Sequence, residues 1–507
     1  MKILTEEPYN LGDAITREID DDATALIDLG GENTPRAFSF RQLDEMSNGV
    51  ARRLTMSGLQ RGDRVAIISA NRAEYLMAFF GIMRAGFVAV PVNYKLPRAT
   101  IDYLLRDCQA KLAFCDEQRA QFCGLELPKI VFGRNTEDGF TTLIAPGPFT
   151  SVRPGINEPA MFLYTSGSSG TPKGVVLSHQ SHLWVLRVRP RAADPQRVLV
   201  AAPLYHMNAL ATCQAMTNQG NMIIMLPTFT APTYIEAIQR YRCTLLTAVP
   251  PMIAMMLRER EQLQRADLSC VKSIRMGSAP VSQTLLHATR AAMPNAAISN
   301  AYGTTEAGPV VFISHPQGLP QPELSVGYPH PEVQVRLVDE ANWDAAEGVL
   351  HIRCPGLLNH YHNLPDATRS AITQDGFYIT GDVFRRDDPG FFYFVGRADD
   401  MFVSGGENVY PGEVEKMLER HPEIHQACVV PIADDIKGTK PVAFIVKRPK
   451  SELTEQEVKE FALANAAPYL HPRRVWFLND LPLGGTTKID RKALARQAAE
   501  ALTEPSR

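Results

Sequence analysis

The sequence predicts an α/β protein: a large N-terminal domain of layered α/β sheets with a small β-barrel-like part, followed by a smaller α+β domain. Three observations carry this reading. Helical and strand-like apolar runs alternate from the start to beyond residue 290; the texture shifts to short strand-like runs from about residue 325; and the last 111 residues, 397–507, hold amphipathic units of their own. In order, Leu43, Met46, Val50 and Leu54 recur at three- and four-residue spacing, the period of a helix with one buried face. Arg61-Gly62-Asp63 reads as a turn and VAIISA, from Val65, as a buried strand. RAEYLMAFFGIMRAG restores the helical pattern, and FVAVPVN, ending at Asn93, is short and apolar again. Helix, strand, helix, strand implies a largely parallel sheet covered by its crossover helices. VQVRLVD and GVLHIRC, split by turn residues, predict a small barrel or sheet. After Gly396-Arg397, GEVEKMLERH, QACVVPI, KPVAFIVKR and TEQEVKEFALANA make a self-contained α+β unit. The expected domains are residues 1–396 and 397–507, with the boundary near Asp399.

A chain of 507 residues exceeds what one hydrophobic core serves, and it has ample interior for a buried cleft. Its 45% hydrophobic and 21% charged residues are those of a globular protein, with a mean hydropathy of −0.14. Lys and Arg number 52 against 55 Asp and Glu, a net charge of −3, which leaves no broad basic field for nucleic acid. Anionic ligands must be gripped locally. The opening MKILTEEPYNLGDAI has an acidic pair where a signal peptide needs an apolar run, and no stretch of about 18 apolar residues follows. A cytoplasmic location is expected. The eight cysteines lack any C-x-x-C pair and read as reduced thiols. His421 and His425 stand four apart, but Pro422 and the missing Glu spoil a zinc-protease pattern, so both read as surface.

The strongest local feature is Tyr164 followed by Thr165, Ser166, Gly167, Ser168, Ser169, Gly170, Thr171, Pro172, Lys173 and Gly174, between apolar runs that read as strands. Glycines let backbone N–H groups turn toward an anion, hydroxyls add donors and a lysine adds charge, a composition that suits a polyphosphate. The spacing G-x-x-G-x-x-K-G and the strand after it exclude a Walker loop with phosphate on a helix. Further on, AYGTTE combines an aromatic ring, a glycine, two hydroxyls and a carboxylate, able to stack on a purine, approach a phosphate and hold a hard cation. Asp382, after Thr380-Gly381, can accept from two vicinal hydroxyls, and Arg397 offers a rigid fork of donors.

With PLYH at 203–206, AYGTTEAGP from Ala301, YITGD at 378–382, GRADD at 396–400, SGGENVYPGEVE from Ser404, and Lys488, the chain resembles the adenylate-forming superfamily over nearly its whole length. That superfamily includes acyl-CoA synthetases, luciferases and peptide-synthetase adenylation domains. The resemblance implies its fold, a mobile C-terminal domain, and use of ATP, Mg2+ and coenzyme A. It assigns the loop 165–173 to the polyphosphate, Tyr302, Gly303 and Thr304 to the adenine and phosphate region, Thr305 to the α-phosphate and Glu306 to magnesium. Asp382 and Arg397 go to the ribose, and Gly277, Ser278 and Ala279 lie along the adenine and acyl group.

Lys488 is expected to stabilise the charge that builds when a carboxylate attacks the α-phosphorus. Thr487 precedes it where many relatives have Gly. A thiol must later reach the acyl-adenylate past this lysine, so the resemblance implies rotation about Asp399, after which Ser404, Gly405 and Gly406 wall the pantetheine tunnel. Tyr469 is expected at coenzyme A; the family's aromatic-Lys-x-Pro segment is Tyr469-Leu470-His471-Pro472 here, without its cation. Arg473, Arg474 or Lys437 could replace it, or lie on the surface. The implied acyl pocket is His206, Met207, Ala248, Val249, Met276 and Gly277, mostly apolar and without the Asp that pairs an amino-acid ammonium.

The expected function is therefore a carboxylate–CoA ligase working through an acyl-adenylate. TEAGPV is similar to hydroxycinnamate ligases and SGGEN to bacterial aryl-CoA ligases, which points to a benzoate- or hydroxycinnamate-like acid or a medium-chain fatty acid. Loading of a carrier protein and a catalytically idle nucleotide-binding protein remain as alternatives, and homo-oligomerisation stays open.

Overall fold

The computed structural model describes residues 9–15, 20–133, 136, 139–166, 171–189, 191, 194–404, 407–434, 438–484 and 489–503. Among these, two seven-stranded sheets dominate the first 360 residues. One runs Ala297–Ala301, Ser273–Gly277, Leu245–Ala248, Arg197–Val200, Met222–Met225, Thr24–Asp28 and Arg36–Ser39, parallel except for its last pair. The other runs His360–Tyr361, Pro172–Ser178, Pro159–Ser166, Val88–Pro91, Arg64–Ile68, Leu112–Cys115 and Lys129–Val131, with the first three strands antiparallel.

The helix Ala73–Arg84 follows from AEYLMAFFGIMR: apolar on every side, it is buried at all its positions, with the Phe40–Thr55 helix packed against it. Its charged ends are neutralised inside. Arg84 is 0% exposed and donates to Asp44, Asn48 and the Gly12 carbonyl. Burial would raise the Glu74 pKa, but the guanidiniums of Arg36 and Arg72 pull it down to about 2.

The barrel-like part is a four-stranded antiparallel sheet, Gln334–Val338, Glu347–Arg353, Tyr378–Arg386 and Phe392–Arg397, bridged from Phe392 to Gly327. A distinct C-terminal domain follows. Its sheet joins Glu407–Val409, Phe402–Ser404, Gly438–Lys447 and Ile424–Asp434, with Val475–Leu478 added in parallel to Gly438–Lys447. Strand alternation sends Val429, Ala443 and Ile445 to one core, with Val414 and Val458 from two helices, and Val430, Val442 and Phe444 to another, with Leu494 and Ala498 from a third.

The two parts meet through a few polar contacts. Arg258 Nη1 lies 2.6 Å from Asp480 Oδ1 and its Nε donates to His425 Nε2 at 3.2 Å, so His425 faces the interface rather than open solvent. Thr284 Oγ1 donates to the Glu419 carbonyl (2.9 Å) and Lys416 Nζ to that of Phe394 (2.8 Å). All eight cysteines are free thiols, six of them buried. Among the described residues no helix is long and apolar enough to cross a membrane, and no cluster of three or more His, Cys, Asp or Glu could hold a metal.

Candidate active site

Between the parts runs a cleft of ≈ 2820 Å³ lined by both. The strands Pro159–Ser166 and Pro172–Ser178 form an antiparallel hairpin, with Thr165 opposite Lys173, and these two residues line the cleft. Gly167, Ser168, Ser169 and Gly170 lie outside the described residues, as does the Ser166 side chain. Thr171 is exposed. The hairpin is pinned by the Tyr164 hydroxyl, which donates to Asp107 Oδ2 at 2.6 Å; a Cβ on Gly174 would stand 3.1 Å from that ring. Lys173 Nζ sits 5.4 Å from the ring centroid of Tyr361, whose strand pairs with the hairpin.

AYGTTE leaves the strand Ala297–Ala301 at the cleft edge. Tyr302 donates its hydroxyl to Asp382 Oδ2 at 2.5 Å, and its ring meets Phe384 edge-on at 4.8 Å. Burial and the Asp382 carboxylate keep that phenol protonated by raising its pKa. Gly303 is required by space, since a Cβ there would come 2.7 Å from Pro309 Cα and 2.8 Å from the Gly308 carbonyl oxygen. Thr304 Oγ1 accepts the Ala307 amide at 2.9 Å and so closes the turn, while Thr305 remains half-buried on the cleft wall. Glu306 is 9% exposed and accepts the Tyr361 hydroxyl on Oε1 at 3.0 Å. Burial raises its pKa against that bond and the field of Arg397. A single buried carboxylate on the cleft wall fits Mg2+, which takes one or two protein oxygens and fills its octahedron with phosphate and water.

Opposite, Asp382 is buried and receives Arg397 Nη1 at 3.0 Å. Nη1 also donates to the Thr380 carbonyl at 3.2 Å, and Asp399 accepts from Nε on Oδ1 at 2.8 Å and from Nη2 on Oδ2 at 3.2 Å. Gly381, with φ +70°, leaves room for the fork: a Cβ there would stand 3.1 Å from Nη2. The residue assigned to ribose and the residue assigned to the hinge are thus joined by one guanidinium.

His206 caps the helix Met207–Asn218, with its ring against Tyr205. His206, Met207, Val249, Gly277, Ser278 and Ala279 line the cleft. Ala248 and Met276 do not: they are register partners on adjacent strands, 0% exposed in the core, because the pleat turns them away from the face that carries Gly277. Arg275, on the Gly277 face, lines the cleft in their stead. Motif matching passed over it, and over Tyr361, which touches both Lys173 and Glu306 from outside every motif.

In the C-terminal domain Tyr469 lines the cleft, whereas Ser404 is buried in its strand and off the wall. Gly405, Gly406, Lys437 and Lys488 lie outside the described residues. Leu483, Gly484 and Ile489, on either side of 485–488, line the cleft, and Leu483 bridges to Ile489. Arg474 Nε lies 3.5 Å from Glu455 Oε1, and Arg473 donates to the Pro468 carbonyl at 3.5 Å.

Comparison with known proteins finds two family models, AMP-binding enzyme over residues 16–362 and AMP-binding enzyme C-terminal domain over residues 413–488. A feruloyl-CoA synthase of Amycolatopsis sp is 30% identical over 468 residues, 91% of this chain and 93% of its own length. A 4-coumarate–CoA ligase of Petroselinum crispum is 29% identical, covering 92% of this chain and 90% of its own. Among solved structures, an anthranilate CoA ligase in complex with anthranoyl-AMP superposes with a TM-score of 0.88 at 25% identity, over 98% of this chain and 99% of that one.

Proposed function

Because the chain belongs to the AMP-binding enzyme family, we propose that it is an ATP-dependent carboxylate–CoA ligase that forms an acyl-adenylate and then a thioester, releasing pyrophosphate and AMP. The observation that carries this is the convergence on one cleft of the hairpin ends Thr165 and Lys173, the buried Glu306, and the Tyr302–Asp382–Arg397 chain. Such a set can bind a nucleotide at both its ribose and its phosphates.

In this reading Tyr302, held by Asp382, presents a fixed ring to adenine, and Asp382 and Arg397 take the ribose hydroxyls. The loop 165–173 holds the departing pyrophosphate, and Thr305 donates to the α-phosphate. Mg2+, held by Glu306, would offset phosphate charge. Lys488 would meet the charge on the α-phosphoryl group as the acid attacks; its described neighbours Gly484 and Ile489 border the same cleft. Residues 397–507 would then turn about Asp399, taking Lys488 away and bringing 404–406 and Tyr469 to the pantetheine path. His206, Met207, Val249 and Gly277 would flank the acyl group. We place the reaction in the cytoplasm, where ATP and coenzyme A are both supplied.

Relatives named for ferulate, 4-coumarate, 2-succinylbenzoate and long-chain fatty acids support an acid substrate without choosing one. The test is pyrophosphate exchange over a panel of acids. Exchange in the wild-type protein, a loss of at least about 100-fold in Lys488→Ala, and AMP release from preformed adenylate on adding coenzyme A are expected. ATP binding without exchange would mark an idle binder, and AMP release only with a carrier protein would replace coenzyme A as acceptor.

A further inference from the structure

We infer that the acid this enzyme activates is a dicarboxylate, whose second carboxylate is held in the acyl cleft by Arg275, with the buried Arg189 adding its field. The inference rests on the ligase reading above and narrows its substrate. Arg275 stands two residues before Gly277 on the strand Ser273–Gly277, on the same face of the pleat, and lines the cleft. Its Nη2 donates to the Pro309 carbonyl at 3.1 Å, which fixes the guanidinium beside the stretch that carries Thr305 and Glu306. Arg189 is 8% exposed; Nη1 reaches the Ala211 carbonyl at 3.3 Å, on the helix that begins at Met207, and Nε has no acceptor.

Among the described residues no carboxylate forms an ion pair with either arginine. The charge that acts on Arg189 is that of Arg275, and burial followed by this repulsion lowers its pKa to about 9; burial alone lowers that of Arg275. His182, 0% exposed and with Nε2 unpartnered, lies in the field of Arg189. Elsewhere this protein neutralises its buried arginines: Arg84 has Asp44 and Arg72 has Glu74. Two cations in each other's field, Arg189 buried and Arg275 half-buried on the cleft wall, are costly without a counter-charge, and an anion entering the cleft relieves that cost. The reacting carboxylate cannot serve, since it must stand at the α-phosphate. A monocarboxylic acid has no other anion to offer.

The experiment measures pyrophosphate exchange by the full-length protein with matched sets: benzoate, terephthalate and monomethyl terephthalate; cinnamate, 4-carboxycinnamate and its distal methyl ester; hexanoate and adipate. The expected result is at least one diacid with KM about 10-fold or more below its monoester, the effect of one charge-assisted hydrogen bond, at similar kcat. Arg275→Met should collapse that ratio and Arg275→Lys should restore part of it. Monoacids or esters that serve as well as the diacids in the wild-type protein overturn the inference and leave the ligase reading standing, whether or not the variants fold. ATP binding without exchange for any acid removes the ligase reading and the inference together.

Discussion

At the scale of single residues the site is built from constraints that leave little latitude. Gly303 is the sharpest case, because both atoms that a Cβ would strike belong to backbone and cannot rotate away. Gly303→Ala should therefore displace the Thr304–Gly308 turn and with it Thr305 and Glu306. Overpacking of this kind costs about 1–3 kcal/mol. We expect adenylation to fall by about 10-fold or more with the melting temperature lowered by only a few degrees, measured by pyrophosphate exchange and calorimetry; unchanged exchange would contradict the assignment. Tyr302, Gly303 and Glu306 were legible in the sequence because they are contiguous. Tyr361 was not, since it meets Glu306 across 55 residues and no local pattern announces that contact. Ala248 and Met276 were misplaced because adjacency in a motif does not reveal the phase of a pleat. The Arg189–Arg275 pair was invisible for another reason: a missing counter-charge is a fact of three dimensions.

At the scale of elements, the helix Pro411–Leu418 ends against the start of the helix Gln283–Ala292, where the N-cap Ser282 and Thr284 of the first turn meet Glu419. Burial pushes the Glu419 carboxyl up to about 7, with Glu415 adding repulsion and the Ala427 amide, Ser282 and Lys416 opposing it. If parting of the domains exposes this carboxyl to water, its pKa falls toward the ordinary 4.5. The docked form then binds the proton more tightly, so this contribution to docking is complete below pH 4.5 and is lost as pH rises through about 7. Small-angle scattering should show the particle expanding between pH 5.5 and 7.5, and Glu419→Gln should flatten that trend. An expansion of equal size in the variant would assign the effect elsewhere. The chain's order of strands and helices was readable because helical and strand periods differ plainly; which elements touch across the domains was not, since polar contacts such as Arg258 with Asp480 leave no periodicity.

For the whole molecule, acid is the informative stress. Burial lowers the pKa of His179 to about 4 and of His182 to about 3, each from 6.5. Both are neutral in the fold, and His179 Nδ1 accepts the Leu11 amide at 3.0 Å. The unfolded chain binds their protons first, so their stabilisation is whole above pH 6.5 and is lost as pH falls toward 4 and 3. Glu74 continues the loss from 4.5 down to about 2. These two protons alone imply a slope of roughly 3 kcal/mol per pH unit between pH 6 and 4.5; His425, lowered to about 4, adds to it, and the raised carboxyls of Glu306 and Glu419 oppose it. Urea titrations across that range measure the slope; a constant midpoint from pH 7 to 5 would exclude the account.

The fork at Arg397 has a consequence for order of events. Its N–H donors are shared among Asp382, which lines the cleft, the Thr380 carbonyl, and Asp399, where the chain leaves for the smaller domain. A ligand oxygen that takes the place of Asp382 or Asp399 on this guanidinium loosens that carboxylate, so occupancy of the cleft and freedom of the connecting segment both draw on one side chain.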